Sequence, residues 1–287
     1  MLLDVWFVLG LGWDVAGVAW ASLLSDVLAL AMGLWLLRSI VFVAFQPANQ
    51  SGEASNSQAG LSDRQALLSR ILDRAALARL FSVNRDLFLR TLLLTTGFFF
   101  FTSQGAQFGT VVLAANAILM NMFSLMAYGL DGFAHAAEAL VGSAYGAKNK
   151  HAFRRAVASS TWLAFGTAML VSMLYALFGG IIIQLITDIP EVVAVAHEYL
   201  PWMVALPLLA VWSFQLDGIF VGAMQTRDMR NSVAAALLVY VVMIWLTVPV
   251  WENHALWACM ALFSLLRGVF LWLLYPRLLN MAESPDG

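Results

Sequence analysis

Residues 112–145, VLAANAILMNMFSLMAYGLDGFAHAAEALVGSAY, decide the fold. A helix that crosses a bilayer needs about 20 mostly apolar residues, because its backbone groups must satisfy one another across roughly 30 Å of hydrocarbon. This stretch exceeds that length, and its only formal charges are Asp131 and Glu138. Its polar residues are ordered: Asn121, Ser124, Tyr128, Asp131, His135, Glu138, Gly142 and Tyr145 recur every three or four positions, so all fall on one helical stripe. Gly129 and Gly132 keep the surface slim, which should let neighbours approach. Outward from here, apolar runs at 15–45, 88–108, 156–186, 192–225, 231–250 and 254–276 complete seven full spans, while Leu2 to Trp13 is too short to cross alone.

The 287 residues are 62% apolar and 11% charged, with a mean hydropathy of +0.82. A soluble domain carries about 45–50% apolar and about 25% charged residues, so both a soluble and a disordered chain are excluded. The expected class is all-α, a polytopic helix bundle whose partner is the lipid bilayer, with no nucleic acid involved. The single cysteine, Cys259, rules out an internal disulfide. With Arg38 as the first basic residue, the N-terminus lacks the basic region of a secretory signal.

Orientation follows from the basic residues, which accumulate in cytoplasmic loops. They cluster at Arg38, at Arg64 to Arg90, at Lys148 to Arg155, at Arg227 and Arg230, and at Arg277, in every second connection. The expectation is a multi-pass protein of the cell inner membrane with a cytoplasmic C-terminus. Arg267 alone sits well inside a span, and its stem is expected to snorkel toward the Arg277 end. Residues 46–61 read as a flexible polar linker, and 62–83 as an amphipathic helix at the membrane surface.

Carboxylates at membrane depth are costly and usually mark an ion path or substrate site. Asp4, Asp26, Asp131, Glu138 and Asp217 are such acids, with no basic residue placed beside them by sequence. Unpaired, they would exchange protons near neutral pH, which is the chemistry of a proton-coupled carrier. Asp131, His135 and Glu138 are spaced to pass a proton or hold a monovalent cation; the bland reading is that the stripe only bonds helices together. Tyr128, Asn121 and Gln215 are cavity candidates, and Gly218 and Gly222 relax the helix beside Asp217. Pro207 is interior enough to kink its helix, whereas Pro201 and Pro249 read as end marks. Phe98 to Phe101 and the eleven tryptophans are expected to face lipid or form interfacial belts.

Enzymatic motifs are missing. His135 and Glu138 give H-x-x-E rather than the H-E-x-x-H of zinc peptidases, and His151, His197 and His254 read as solvated bystanders. No nucleophile elbow, phosphate loop or dinucleotide fingerprint occurs. No enzyme, cofactor or metal site is expected; the only ion required is the coupling H+ or Na+.

Several segments carry a resemblance: Asn84-Arg85-Asp86 leading to Arg90, Ala114 to Ala117, Tyr128 to Ala134, Ala137 to Gly142 running on to Ala147, Asp217-Gly218 and Met229 to Ser232. Together they resemble the multidrug and toxic compound extrusion (MATE) transporters, in the DinF-like branch. The resemblance implies a fold of two six-helix lobes around a cavity that opens alternately to each side. On that pattern residues 1–45 are the remnant of the N-terminal lobe, 46–83 the cytoplasmic connection, and 84–287 the complete C-terminal lobe. Asp4 matches an aspartate of the family's N-lobe cation site, and Ser22 the expected hydroxyl. Helices one to four have no counterpart, so the resemblance suggests a truncated gene, a late start or a split transporter with a separate chain supplying them.

The implied function is a secondary antiporter that exports small organic, often cationic, compounds in exchange for H+ or Na+. Asp131, Glu138 and Asp217 would line the C-lobe side. The alternatives are a non-transporting or fragmentary membrane protein, and a lipid-linked oligosaccharide flippase, which would require basic residues in the cavity.

Overall fold

In the computed structural model of the protein, the described residues are 21, 23–25, 27–33, 35–36, 38 and 74–281, and all the regular structure among them is helical. The expectations placed on Asp4, Ser22, Asp26, the linker 46–61 and residues 62–73 fall outside them. The chain divides into two compact units, Met1–Leu68 and Ser69–Gly287. In the first, the described positions between 21 and 38 are helical. The second is built of α1 (Arg74–Gly105), a single 3-10 turn (Ala106–Phe108), α2 (Thr110–Gly146), α3 (Lys150–Ile186), α4 (Pro190–Gly222) and α5 (Thr226–Met281).

The boundaries have local causes. Gly109, at φ 94°, takes the left-handed turn that starts α2, a conformation that favours glycine. Asn149 caps α3 by accepting from the Ala152 N–H at 3.0 Å. Pro190 occupies the first turn of α4, where its missing N–H costs nothing. Pro201 lies inside α4 with Pro207, so it is not an end mark. Both are tolerated because packing from neighbouring helices offsets the lost ladder bonds.

α5 is a hairpin rather than a rod. At Glu252 the backbone leaves the helix (φ 49°, ψ −129°), three residues after Pro249. The pairing of its arms proves the reversal: the Ser232 hydroxyl donates to the Arg267 carbonyl, Tyr240 meets the Phe263 ring at 5.2 Å, and Thr247 touches the Cys259 sulphur at 3.5 Å. Residue numbers on one arm rise as those on the other fall, which is antiparallel packing. The two arms correspond to the spans expected at 231–250 and 254–276.

Among the described residues four helices, α2 to α5, are long and apolar enough to cross a membrane. α1 falls short of that apolar density because Arg90 and Thr91, Thr95, Thr96 and Thr102 dilute it. Three of those threonines return their hydroxyls to the carbonyl four residues back. α1 also runs unbroken through positions 83 and 84, so the described part of the expected amphipathic stretch, 74–83, continues into the span as one helix.

α2 and α4 pack most closely. A Cβ added at Gly218 would overlap the Ala134 carbonyl, and one at Gly222 would stand 2.5 Å from the Glu138 carbonyl oxygen. Small residues four apart on α4 thus admit the α2 backbone, the usual device of helix association in lipid. Gly129 and Gly132, expected to serve this purpose, have nothing within 4 Å.

Aromatic placement corrects a further expectation. Trp162, Trp245 and Phe99 are indeed exposed, but Trp257 and Phe101 are fully buried with their rings 4.8 Å apart. The Trp257 indole donates to Asn116 Oδ1 at 2.9 Å, and Asn116 and Asn253 exchange amide bonds at 2.7 and 3.0 Å. This buried cluster clamps the α5 turn to α2. Asn116→Ala would orphan both the Asn253 amide and the indole, and a loss of about 1–3 kcal/mol in thermal unfolding is expected, since each buried group loses its compensation. His254, read as a bystander, faces Glu198 at 3.3 Å and accepts from the Trp202 indole.

Candidate functional site

Asp217 anchors the site. It lies on α4 one residue before Gly218, and the close α2–α4 approach buries it to 5% exposure. Its Oδ2 accepts from two guanidiniums: Arg267 Nη2 on the second arm of α5, at 2.6 Å, and Arg90 Nη2 on α1. Arg267 is also 5% exposed, and its guanidinium stands 5.9 Å from the Phe214 ring centroid and 5.8 Å from that of Phe263. The expectation that the embedded acids lack basic neighbours therefore fails at Asp217, and Arg267 does not snorkel toward Arg277. A buried guanidinium without an anion is too costly to persist, so it turns inward to the nearest carboxylate. The remaining Asp217 Oδ1 and the Nε atoms of both arginines are buried without hydrogen-bond partners among the described residues.

Around this triad α1, α2, α4 and α5 leave a cleft of about 340 Å3. Asp131, His135 and Glu138 line it from α2, opposite Asp217, Arg90 and Arg267, while Phe98, Phe123 and Phe214 supply aromatic walls. His135 Nδ1 and Glu138 Oε2 lie 3.3 Å apart near the opening, with side chains 78% and 41% exposed. Among the described residues, two arginines thus face three carboxylates, an excess of negative charge when His135 is neutral. The volume is at the lower end of sites that hold small molecules, about 300–1,000 Å3.

The structure therefore brings together four of the residues singled out by sequence: Asp131, His135, Glu138 and Asp217. Three others do not line the cleft. Gln215 is buried against α3, its amide donating to Ser160 Oγ at 2.6 Å, because it lies on the opposite side of α4 from Asp217. Asn121 and Tyr128 share the α2 stripe but are exposed, Tyr128 to 76%. Arg90 and Arg267 were missed as site residues. The available signal was Arg267 itself, a lone cation in an apolar span, which demands an embedded acid.

Residues 87–246, more than half of the chain and including Arg90, Asp131, Glu138 and Asp217, match the family MatE. The chain belongs to the MatE family. This MatE chain is 36% identical over 277 residues to DNA damage-inducible protein F of Escherichia coli (strain K12), an alignment covering 96% of the chain and 56% of that protein. Among solved structures it resembles the Vibrio cholerae MATE transporter VcmN in the bent form, with a TM-score of 0.71 at 18% identity, over 98% of this chain and 60% of that one. The eukaryotic MATE transporter AtDTX14 gives 0.68 at 14% identity, over 98% and 61%. A MOP superfamily transporter from Pyrococcus furiosus, for which a binding pocket of reverse polarity suggests a different function, gives 0.70 at 19% identity, over 99% and 60%. These likenesses show a shared fold. The MatE chain spans about half the length of these relatives, and it is a multi-pass membrane protein.

Proposed function

We propose that the protein works in a secondary antiporter exporting small organic cations in exchange for H+ or Na+, with its coupling and substrate acids in the α1–α2–α4–α5 cleft. The single observation that carries this reading is the charge arrangement there: Asp217 is committed to Arg90 and Arg267, whereas Asp131 and Glu138 line the same cleft with no arginine partner among the described residues. An acid locked between two guanidiniums has its charge already matched by them. The charges of Asp131 and Glu138 are not matched in that way, so they are the ones open to an incoming ion or substrate cation. Aromatic walls suit the apolar body of an amphipathic cation. Loading of the acids by the coupling ion would then weaken their hold on the substrate, the differential affinity that antiport requires.

The test is binding of a fluorescent lipophilic cation to the detergent-solubilised protein, followed by its movement into vesicles under a pH gradient. Asp131→Asn and Glu138→Gln are each expected to weaken binding about tenfold or more, roughly the 1.4 kcal/mol that one charge contact supplies. Unchanged affinity and unchanged transport in both variants would defeat the reading. Arg90 and Arg267 favour a second one, a carrier of phosphate-bearing lipid-linked sugars, because they place guanidiniums in the cleft. Both are held by Asp217, which leaves them less able to grip a pyrophosphate. Saturable binding of a pyrophosphate-bearing lipid, lost in Arg90→Gln and not in Asp131→Asn, would decide for that alternative.

A further inference from the structure

A second concavity lies at the end of the bundle where α1 meets the turn between α4 and α5, away from the cleft. It encloses about 760 Å3 and is lined by Arg85, Arg227 and Arg230, with Asp86 as its one acid among the described residues. Asp86 is 3% exposed and forms the floor, accepting from Arg230 Nη1 at 2.6 Å and lying 3.4 Å from Arg85 Nη2. Arg227 is exposed and makes no hydrogen bond or ion pair among the described residues. The floor is thus neutralised while the rim keeps an excess of positive charge.

The position of two of these arginines is electrostatically odd. Arg227 and Arg230 stand in the opening turns of α5, where the helix dipole and free N–H groups favour anions and disfavour cations. Asp228 is the only acid in that first turn, and it does not line the concavity. Hydroxyls of Ser82, Thr226 and Tyr145 add donors to the same wall. Three guanidiniums, a helix N-terminus and three hydroxyls converging on one hollow have the chemistry of a phosphate receptor.

We propose that this concavity binds the phosphate of an anionic glycerophospholipid. The volume exceeds what an inorganic phosphate needs, and the rim carries apolar side chains that would suit acyl chains. Met224 lines the hollow at 57% exposure, held outward by a left-handed backbone (φ 60°), and Phe81, beside Ser82, is 71% exposed. A lipid seated there would join α1 to the α4–α5 turn and reinforce the Asp86–Arg230 tie between them.

Native mass spectrometry of the full chain, released from mixed micelles of phosphatidylglycerol and phosphatidylcholine, tests this. One retained phosphatidylglycerol per chain, with no retained phosphatidylcholine, is expected. Arg85→Gln with Arg227→Gln should cut retention about tenfold or more, each surface cation being worth about a factor of five. Arg154→Gln with Arg155→Gln removes the same charge outside the hollow and should leave retention unchanged. Should the first pair fold poorly, Arg227→Gln alone, which breaks no contact, carries the same comparison. Equal retention of the two lipids, or equal loss in the two double variants, overturns the proposal. Displacement of the lipid by millimolar inorganic phosphate would assign the hollow to a free anion and also overturn it; resistance to displacement supports the lipid.

Discussion

Asp217→Ala should be the most damaging single substitution in the second unit, lowering its stability by about 3–5 kcal/mol, the usual penalty for leaving a buried charge unpaired. The variant strands Arg267, 5% exposed between the Phe214 and Phe263 rings, and releases Arg90 as well. Denaturation in detergent, followed by circular dichroism, measures the loss. Asp217→Asn keeps one acceptor and should cost less. Asp217→Leu combined with Arg267→Met should recover part of the loss, because removing both charges is cheaper than removing one. A double variant no more stable than Asp217→Ala would show that the acid does not neutralise Arg267.

The second large effect is steric. Gly218→Val would drive a branched side chain into the Ala134 carbonyl, and Gly222→Val into that of Glu138. Backbone cannot move aside as a side-chain end can, so α2 and α4 must separate, at a cost of about 1–3 kcal/mol or more. Separation also displaces Glu138 and Asp131 from the triad, so cation binding should fall with stability. Gly129→Ala and Gly132→Ala supply the contrast. Nothing lies within 4 Å of either, and alanine should stabilise the helix by up to about 1 kcal/mol. If all four substitutions behave alike in unfolding, the close α2–α4 approach is not what positions the cleft.

Much of this arrangement was legible in the chain. Apolar run length gave α2 to α5 to within about six residues, since hydrocarbon thickness imposes it directly, whereas α1 begins well before the run at 88. Periodicity placed Asp131, His135 and Glu138 on one face, and they do share the cleft. Periodicity says nothing of how far along a face a cavity extends, so Asn121 and Tyr128 were grouped with them although they do not line it. Gln215 was misplaced for a related reason: two positions from Asp217 on a helix is nearly the opposite side. Arg267 signalled that some embedded acid was needed, but not which one: the partners of Asp217 lie 127 and 50 residues away, distances over which spacing carries no information. α1 was overestimated as an apolar span because its phenylalanine run conceals the threonines and Arg90 around it.

The seclusion of Cys259 makes the protein its own blank for chemical mapping. The chain has one cysteine, 3% exposed with its sulphur against Thr247, so water-soluble maleimides should pass it by. Arg155→Cys and Gln107→Cys, made separately, would place lone reporters at opposite ends of the bundle with no background to subtract. Their relative labelling in intact cells would establish which end meets the outside.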